Sequence, residues 1–200
     1  MKKLFFILSV ALVAMVGFSS CNSDDENEAR VLSGEWQGDW GMFYDYEYDN
    51  GDIVRYYAAS TYIKLEPSHN NSTHGVGYQE DYYSRGPYEY QWYKFYWEVR
   101  DGIIYLTYPH DPDLDVDIYD YRLSNDYFSG YFGDTNSYFR LHKLTDFYYW
   151  TPAVTITSDY YYKAYDYYSK QYEGTAKSKN FTGGGKVIKN GRDLTHREEK

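Results

Sequence analysis

Few of the side chains that could carry chemistry in this 200-residue chain are spaced for it. Asp111, Asp113, Asp115 and Asp117 alternate along one stretch, and hard carboxylate oxygens suit Ca²⁺. An extended strand spaces such acids too far apart to wrap one ion. The glycine turn and closing Glu of a calcium loop are also missing, so the row reads as a solvated acidic face. His69 and His74 share a loop, while His110, His142 and His196 are scattered without zinc-ligand spacing. No Gly-x-Ser-x-Gly elbow, phosphate-binding loop or His-Glu-x-x-His helix occurs. Nothing nominates a nucleophile or a base, and no metal or cofactor is implied. The expectation is a non-catalytic protein; an enzyme would need titratable residues distant in sequence to converge in one cleft.

What the chain has in abundance is aromatic rings: 29 Tyr, 10 Phe and 5 Trp. Such rings can fill a core or present flat amphipathic platforms to a small apolar molecule, a glycan or a protein. Trp92, Tyr93 and Trp97, in the longest of the expected strands, are the candidate ligand-binding residues.

Cys21 is the only cysteine, and it follows an export signal. Lys2 and Lys3 precede an apolar run from Leu4 to Phe18, closed by Ser19 and Ser20. That run is shorter than the roughly 20 residues a spanning helix needs and has the charged start and small-residue finish of a cleaved signal peptide, 1–20. A lone cysteine permits no internal disulfide, so the body must be held by its own core. Behind it, Asn22 to Glu28 is acidic and polar with nothing to bury, and reads as a flexible tether over 21–30. The net charge of −10 argues against any electrostatic grip on nucleic acid.

These residues sit in a body that reads as all-β. From 31 to 145, short runs rich in Tyr, Phe, Trp, Ile and Val end in turn residues. Eight strands are expected, over 35–46, 55–65, 75–83, 88–100, 103–108, 114–123, 127–132 and 138–144. Asn50-Gly51 and Asp101-Gly102 suit the positive φ of tight hairpins, which makes neighbours antiparallel. Alternation puts Ile63, Leu65, Leu114, Val116, Ile118, Phe139 and Leu141 on a buried face. Aromatic parity changes along 88–100, which predicts a bulge near Trp92 and Tyr93. Eight sequential antiparallel strands close most readily as a single up-and-down barrel, because closure removes sticky edges; a sandwich is the alternative. Tyr57, Ile63, Leu65, Trp92, Phe95, Trp97, Phe128 and Phe139 are the expected interior, bulky enough that the barrel could be filled rather than hollow. In the Tyr-rich segment 146–174, Tyr161, Tyr165, Tyr168 and Tyr172 share one helical stripe, with Ser158 to cap a short helix and Gly174 to end it; a Tyr-rich disordered tail is the other reading. Residues 175–200 are polar, without a period that packs, and are expected to be disordered.

Two resemblances add to this. The small residues before Cys21 resemble the lipobox of bacterial lipoproteins, with Phe18 where Leu is usual. The resemblance implies a diacylated Cys21 thiol, an acylated new amino terminus and permanent membrane attachment, since each buried methylene contributes about 0.8 kcal/mol. The acidic run behind it is similar to those that send lipoproteins to the outer leaflet of the outer membrane, which implies display at the cell surface. Separately, Gly34-Glu35-Trp36 at the mouth of the first strand looks like the opening motif of the lipocalins, and Asn125-Asp126-Tyr127 falls between the sixth and seventh strands where they often carry Thr-Asp-Tyr. Lys143 stands where lipocalins place a basic residue over the first-strand Trp. This resemblance, to the lipocalin-like domains of bacterial surface lipoproteins, spans Val31 to Leu144. It implies a barrel taking a small apolar molecule or glycan at its mouth, with Trp36 closing the floor. The competing expectation is an interaction subunit whose Tyr-rich outer face docks on another envelope protein.

The lipid expectation has a direct test. Cys21→Ser should leave the protein out of the detergent phase and unlabelled by radioactive fatty acid, whereas persistent labelling would refute it.

Overall fold

The computed structural model describes residues 21–133, 135, 137–147, 177–178 and 184–193. The signal segment and the helix expected over 159–173 lie outside the described residues. Eight strands form an antiparallel up-and-down barrel: β1 (Gly34–Asp39), β4 (Ser60–Pro67), β5 (His74–Tyr82), β6 (Tyr88–Arg100), β7 (Ile103–Thr107), β8 (Val116–Leu123), β9 (Tyr127–Phe132) and β10 (Tyr138–Asp146). Each pairs with the next, and β10 closes on β1 with Trp36 opposite Lys143. The β6–β7 hairpin turns through Asp101 and Gly102, at φ 56° and 70°, the left-handed pair that a two-residue primed turn requires.

Between β1 and β4 the chain leaves the barrel as a second hairpin, β2 (Met42–Tyr48) and β3 (Ile53–Tyr57), to which β12 (Gly185–Arg192) adds as a third strand. A two-residue strand, β11 (Lys177–Ser178), lies against the start of β6. The first two expected strands are therefore each two. The first breaks at Gly41, at φ 68°, whose N–H is caught by the Asp39 carboxylate at 2.9 Å, and the second at Ala58 and Ala59. Both pieces are extended and aromatic, so periodicity carries no trace of the turn. The strand at 185–192 corrects the expectation of disorder there. It has little apolar pattern because it packs along one strand edge, held by backbone pairing with β2.

Residues 21–30 are not a loose tether either. Helix α1 (Cys21–Leu32) lies across one end of the barrel and buries Ala29 and Leu32 completely. Its acids have specific partners. The Asp25 carboxylate accepts the backbone N–H groups of Asp101 and Gly102 at 3.1 and 3.2 Å, and Glu28 accepts the Tyr121 hydroxyl. Acidic composition suggested solvation, whereas these carboxylates cap a hairpin and a phenol. Among the described residues no helix is long and apolar enough to cross a membrane.

β6 pairs with β5 in unbroken register from His74↔Glu98 to Tyr82↔Tyr90, so the bulge expected near Trp92 and Tyr93 is absent. Aromatic residues simply occupy both faces. Gln91, Tyr93, Phe95, Trp97 and Val99 point in, while Trp92 stands outside and Tyr57 is exposed on β3. Both had been expected inside.

Because α1 contributes core, Leu32→Ala should destabilise the mature chain by about 2–5 kcal/mol in urea unfolding. An unchanged midpoint would mean that α1 is only a connector.

Candidate functional site

The barrel has two unlike ends. At the α1 end, the floor, Trp36 is fully buried and donates its indole N–H to the Leu32 carbonyl at 2.8 Å. Lys143 lies 4.9 Å over the Trp36 ring and donates to the Val31 carbonyl; burial pushes its pKa down. Above this floor Phe95, Trp97, Phe128, Phe132 and Phe139 fill the interior. Large rings face small inward positions across β5 and β6: Gly75 is opposite Trp97 and Gly77 opposite Phe95. A Cβ on Gly77 would stand 2.1 Å from the Phe95 ring, so the glycines make room for the rings that fill the barrel.

At the other end, the mouth, the interior turns polar. A one-way chain of hydrogen bonds runs through it. Arg192, from β12, reaches Tyr108 Oη from Nη2 at 3.4 Å. Tyr108 donates to Gln79 Oε1 at 2.7 Å, and the Gln79 amide donates to both Asp81 oxygens at 3.1 and 3.0 Å. Thr61 Oγ1 donates to Asp81 as well, at 2.6 Å. Beside it Tyr83 and Tyr93 both donate to Gln91 Oε1, at 3.1 and 3.0 Å. The Arg192 guanidinium stacks 4.6 Å from the Phe132 ring, near Trp40 and Tyr108, and its Nη1 donates to the Leu114 carbonyl at 3.1 Å. Burial pushes the Asp81 carboxyl up to about 7, against the pull of Thr61, Gln79 and the Arg192 charge. It pushes Tyr108 up to about 12, raises Tyr83 and Tyr93 well above the usual phenol range and lowers Arg192.

The sequence-nominated residues divide accordingly. Tyr93 lies in the mouth network and Trp97 in the packed interior, where its indole N–H faces the Glu66 and Val76 carbonyls at 3.2 and 3.3 Å. Trp92 is separated from both, on the outer face, with its N–H on Glu80 at 3.2 Å. Gly34, at φ 141°, starts β1 where a Cβ would meet the Thr145 carbonyl. The Asn125-Asp126-Tyr127 turn is tied by Ser124 Oγ, which accepts the N–H groups of Asp126 and Tyr127, and the Asp126 carbonyl accepts the Lys143 N–H. The acidic row is dispersed: Pro112–Leu114 is a 3₁₀ turn, Asp115 accepts the Tyr108 N–H, and Asp117 accepts the Tyr119 hydroxyl. Among the described residues no three His, Cys, Asp or Glu gather as a metal site.

Sequence reading missed Asp81 and Arg192. For Asp81 a signal existed, since Gln79 and Asp81 share parity with Gly75 and Gly77 on the inner face. For Arg192 none did, because it sits in a polar, aperiodic stretch.

Outside, rings pair across strands. Tyr131 lies 5.4 Å from Tyr138, Tyr127 4.7 Å from His142, and Tyr78 5.4 Å from Trp92. Comparison with family models, with curated proteins and with solved structures finds no match.

Asp81 confers a pH dependence of known sign. Its folded pKa of about 7 exceeds the usual carboxylate value near 4, so the folded state holds a proton that the unfolded chain releases. The resulting stability is complete below about pH 4 and is lost as pH rises through about 7, up to about 4 kcal/mol in all. Thermal midpoints measured from pH 4.5 to 8.5 should show a falling contribution that Asp81→Asn removes; an unaltered profile in the variant would assign the slope elsewhere.

Proposed function

We propose that this is a non-catalytic lipoprotein, anchored through Cys21 and displayed at the cell surface from the outer membrane, that binds a glycan on the outer face of a lipocalin-like barrel. The observation that carries the reading is the division of rings between inside and outside. Packed side chains line the interior from the Trp36 floor to the Arg192 network, which favours the outer face over an apolar ligand held inside. The outer rings stand in cross-strand pairs beside carboxylates, amides and cations. Pyranose rings offer an apolar C–H face to an aromatic ring and hydroxyls to polar groups at its rim, which suits such pairs. The Trp36–Lys143 floor, with Gly34 and the Asp126-Tyr127 turn beside it, supports the lipocalin-like part. α1 begins at Cys21, so lipid on that residue would hold the barrel close to the membrane.

A second reading, an interaction subunit docking on an envelope protein, is favoured by one feature. β3 presents Ile53, Val54 and Tyr57 to solvent, with Ile53 60% exposed, on an edge with an open backbone ladder among the described residues.

A panel of neutral and charged polysaccharides, probed with the mature chain carrying Cys21→Ser, decides between them. Retention by at least one polysaccharide, weakened about tenfold in Tyr131→Ala/Tyr138→Ala at an unchanged thermal midpoint, is expected. No retention across the panel would refute glycan binding.

A further inference from the structure

Three rows of outward side chains cross the face formed by β8, β9 and β10. Register places Tyr119, Tyr131 and Tyr138 side by side in the first, Arg122, Ser129 and Arg140 in the second, and Tyr127 and His142 in the third. Neighbouring strands are about 4.8 Å apart, so Arg122 and Arg140 stand about 10 Å apart across Ser129; the rows follow at about 7 Å. The irregular register between Tyr119 and Arg122 lets this arrangement form. With Asp120 at φ 33°, Tyr121 turns inward onto Phe128 and Arg122 turns out.

The chemistry of the strip departs from that of the chain. The protein has 30 acids to 20 Lys and Arg, yet the exposed Arg122 and Arg140 have no carboxylate within ion-pair distance among the described residues. Asp39 is the register neighbour of Arg140 on β1, but its carboxylate accepts the Gly41 N–H. Arg140 lies 4.5 Å over the Tyr127 ring, so the aromatic row supports the cation row. Tyr127 and Tyr131 are 39% and 43% exposed. Two exposed guanidinium forks stand on either side of Ser129, itself buried, with rings in the rows beside them. Planar forks match carboxylate and sulfate oxygens bidentately, and open rings match the C–H faces of sugars.

We propose that this strip binds an acidic glycan, a saccharide bearing carboxylate or sulfate groups, with Arg122 and Arg140 on its charges and Tyr127, Tyr131 and Tyr138 against its rings. The assignment rests on the glycan reading above and adds to it the charge of the ligand and the place where it sits.

Affinity electrophoresis of the mature chain carrying Cys21→Ser, in gels containing polygalacturonate, uncharged amylose or polyglutamate, tests it. Polygalacturonate should retard the protein, less so as salt is raised, and Arg122→Ala/Arg140→Ala should weaken this by at least about tenfold. Tyr127→Ala should also weaken it, with thermal midpoints unchanged in both variants. Equal retardation by amylose, undiminished in the arginine variant, would overturn the acidic assignment and leave glycan binding standing. Equal retardation by polyglutamate would overturn it by reducing the strip to a charge patch. No retardation by either polysaccharide, together with no retention across the wider panel, would overturn both readings.

Discussion

The indole of Trp36, held between α1 and Lys143, is the contact from which the barrel is organised. It stands on β1 at the seam where β10 closes the sheet. Its one polar atom must be satisfied in a place that water does not reach, and the Leu32 carbonyl at the end of α1 does so. That bond draws the helix across the open end and brings Ala29 and Leu32 into the core. It also explains why a stretch as acidic as 24–28 is ordered, since once the helix is docked, Asp25 and Glu28 meet donors on β6–β7 and β8 that they would not otherwise approach.

The mouth is closed by different physics. An ionised carboxylate and a guanidinium are both costly to bury, and their mutual attraction offsets that cost only when every remaining donor and acceptor is matched. Here the charges do not touch. Tyr108 and Gln79 stand between them, each donating toward Asp81, so the field of Arg192 is passed along oriented dipoles. The consequence is topological: a strand from near the end of the chain completes a site begun by β4, β5 and the residue after β7. The end of the barrel opposite the floor is thereby occupied by protein.

Large side chains pack the interior between the two ends, and the remaining rings stand on the outer face. An antiparallel sheet twists, and pairing brings every second residue of adjacent strands side by side, so outward Tyr residues become rows rather than isolated rings. On the β8–β9–β10 face those rows are set beside Arg122 and Arg140, which have no carboxylate at ion-pair distance among the described residues, whereas Arg100, over Tyr105 on the β6–β7 face, is paired with Glu98.

Much of this was legible in the chain. Alternation of Ile63 and Leu65, Phe139 and Leu141, and the Asp101-Gly102 turn carry the antiparallel order of the barrel strands, and Asn50-Gly51 that of the β2–β3 hairpin outside it, because side-chain period and turn stereochemistry are local properties of the backbone. The Trp36 floor was legible through the company it keeps with Gly34 and Lys143. What tertiary structure alone decided are the parts that depend on long-range partners. The aromatic run at 88–100 looked like a strand changing face because rings suit either side of the sheet; only pairing with β5 assigns Tyr93 and Trp97 to the interior and Trp92 to the surface. Residues 24–28 and 185–192 looked unstructured because what holds them lies far along the chain: the β6–β7 hairpin for Asp25, Tyr121 for Glu28, and the β2 backbone and a buried network for β12 and its Arg192. Local sequence determines what a segment can become, and a polar residue is ordered only when folding brings it a partner that composition cannot announce.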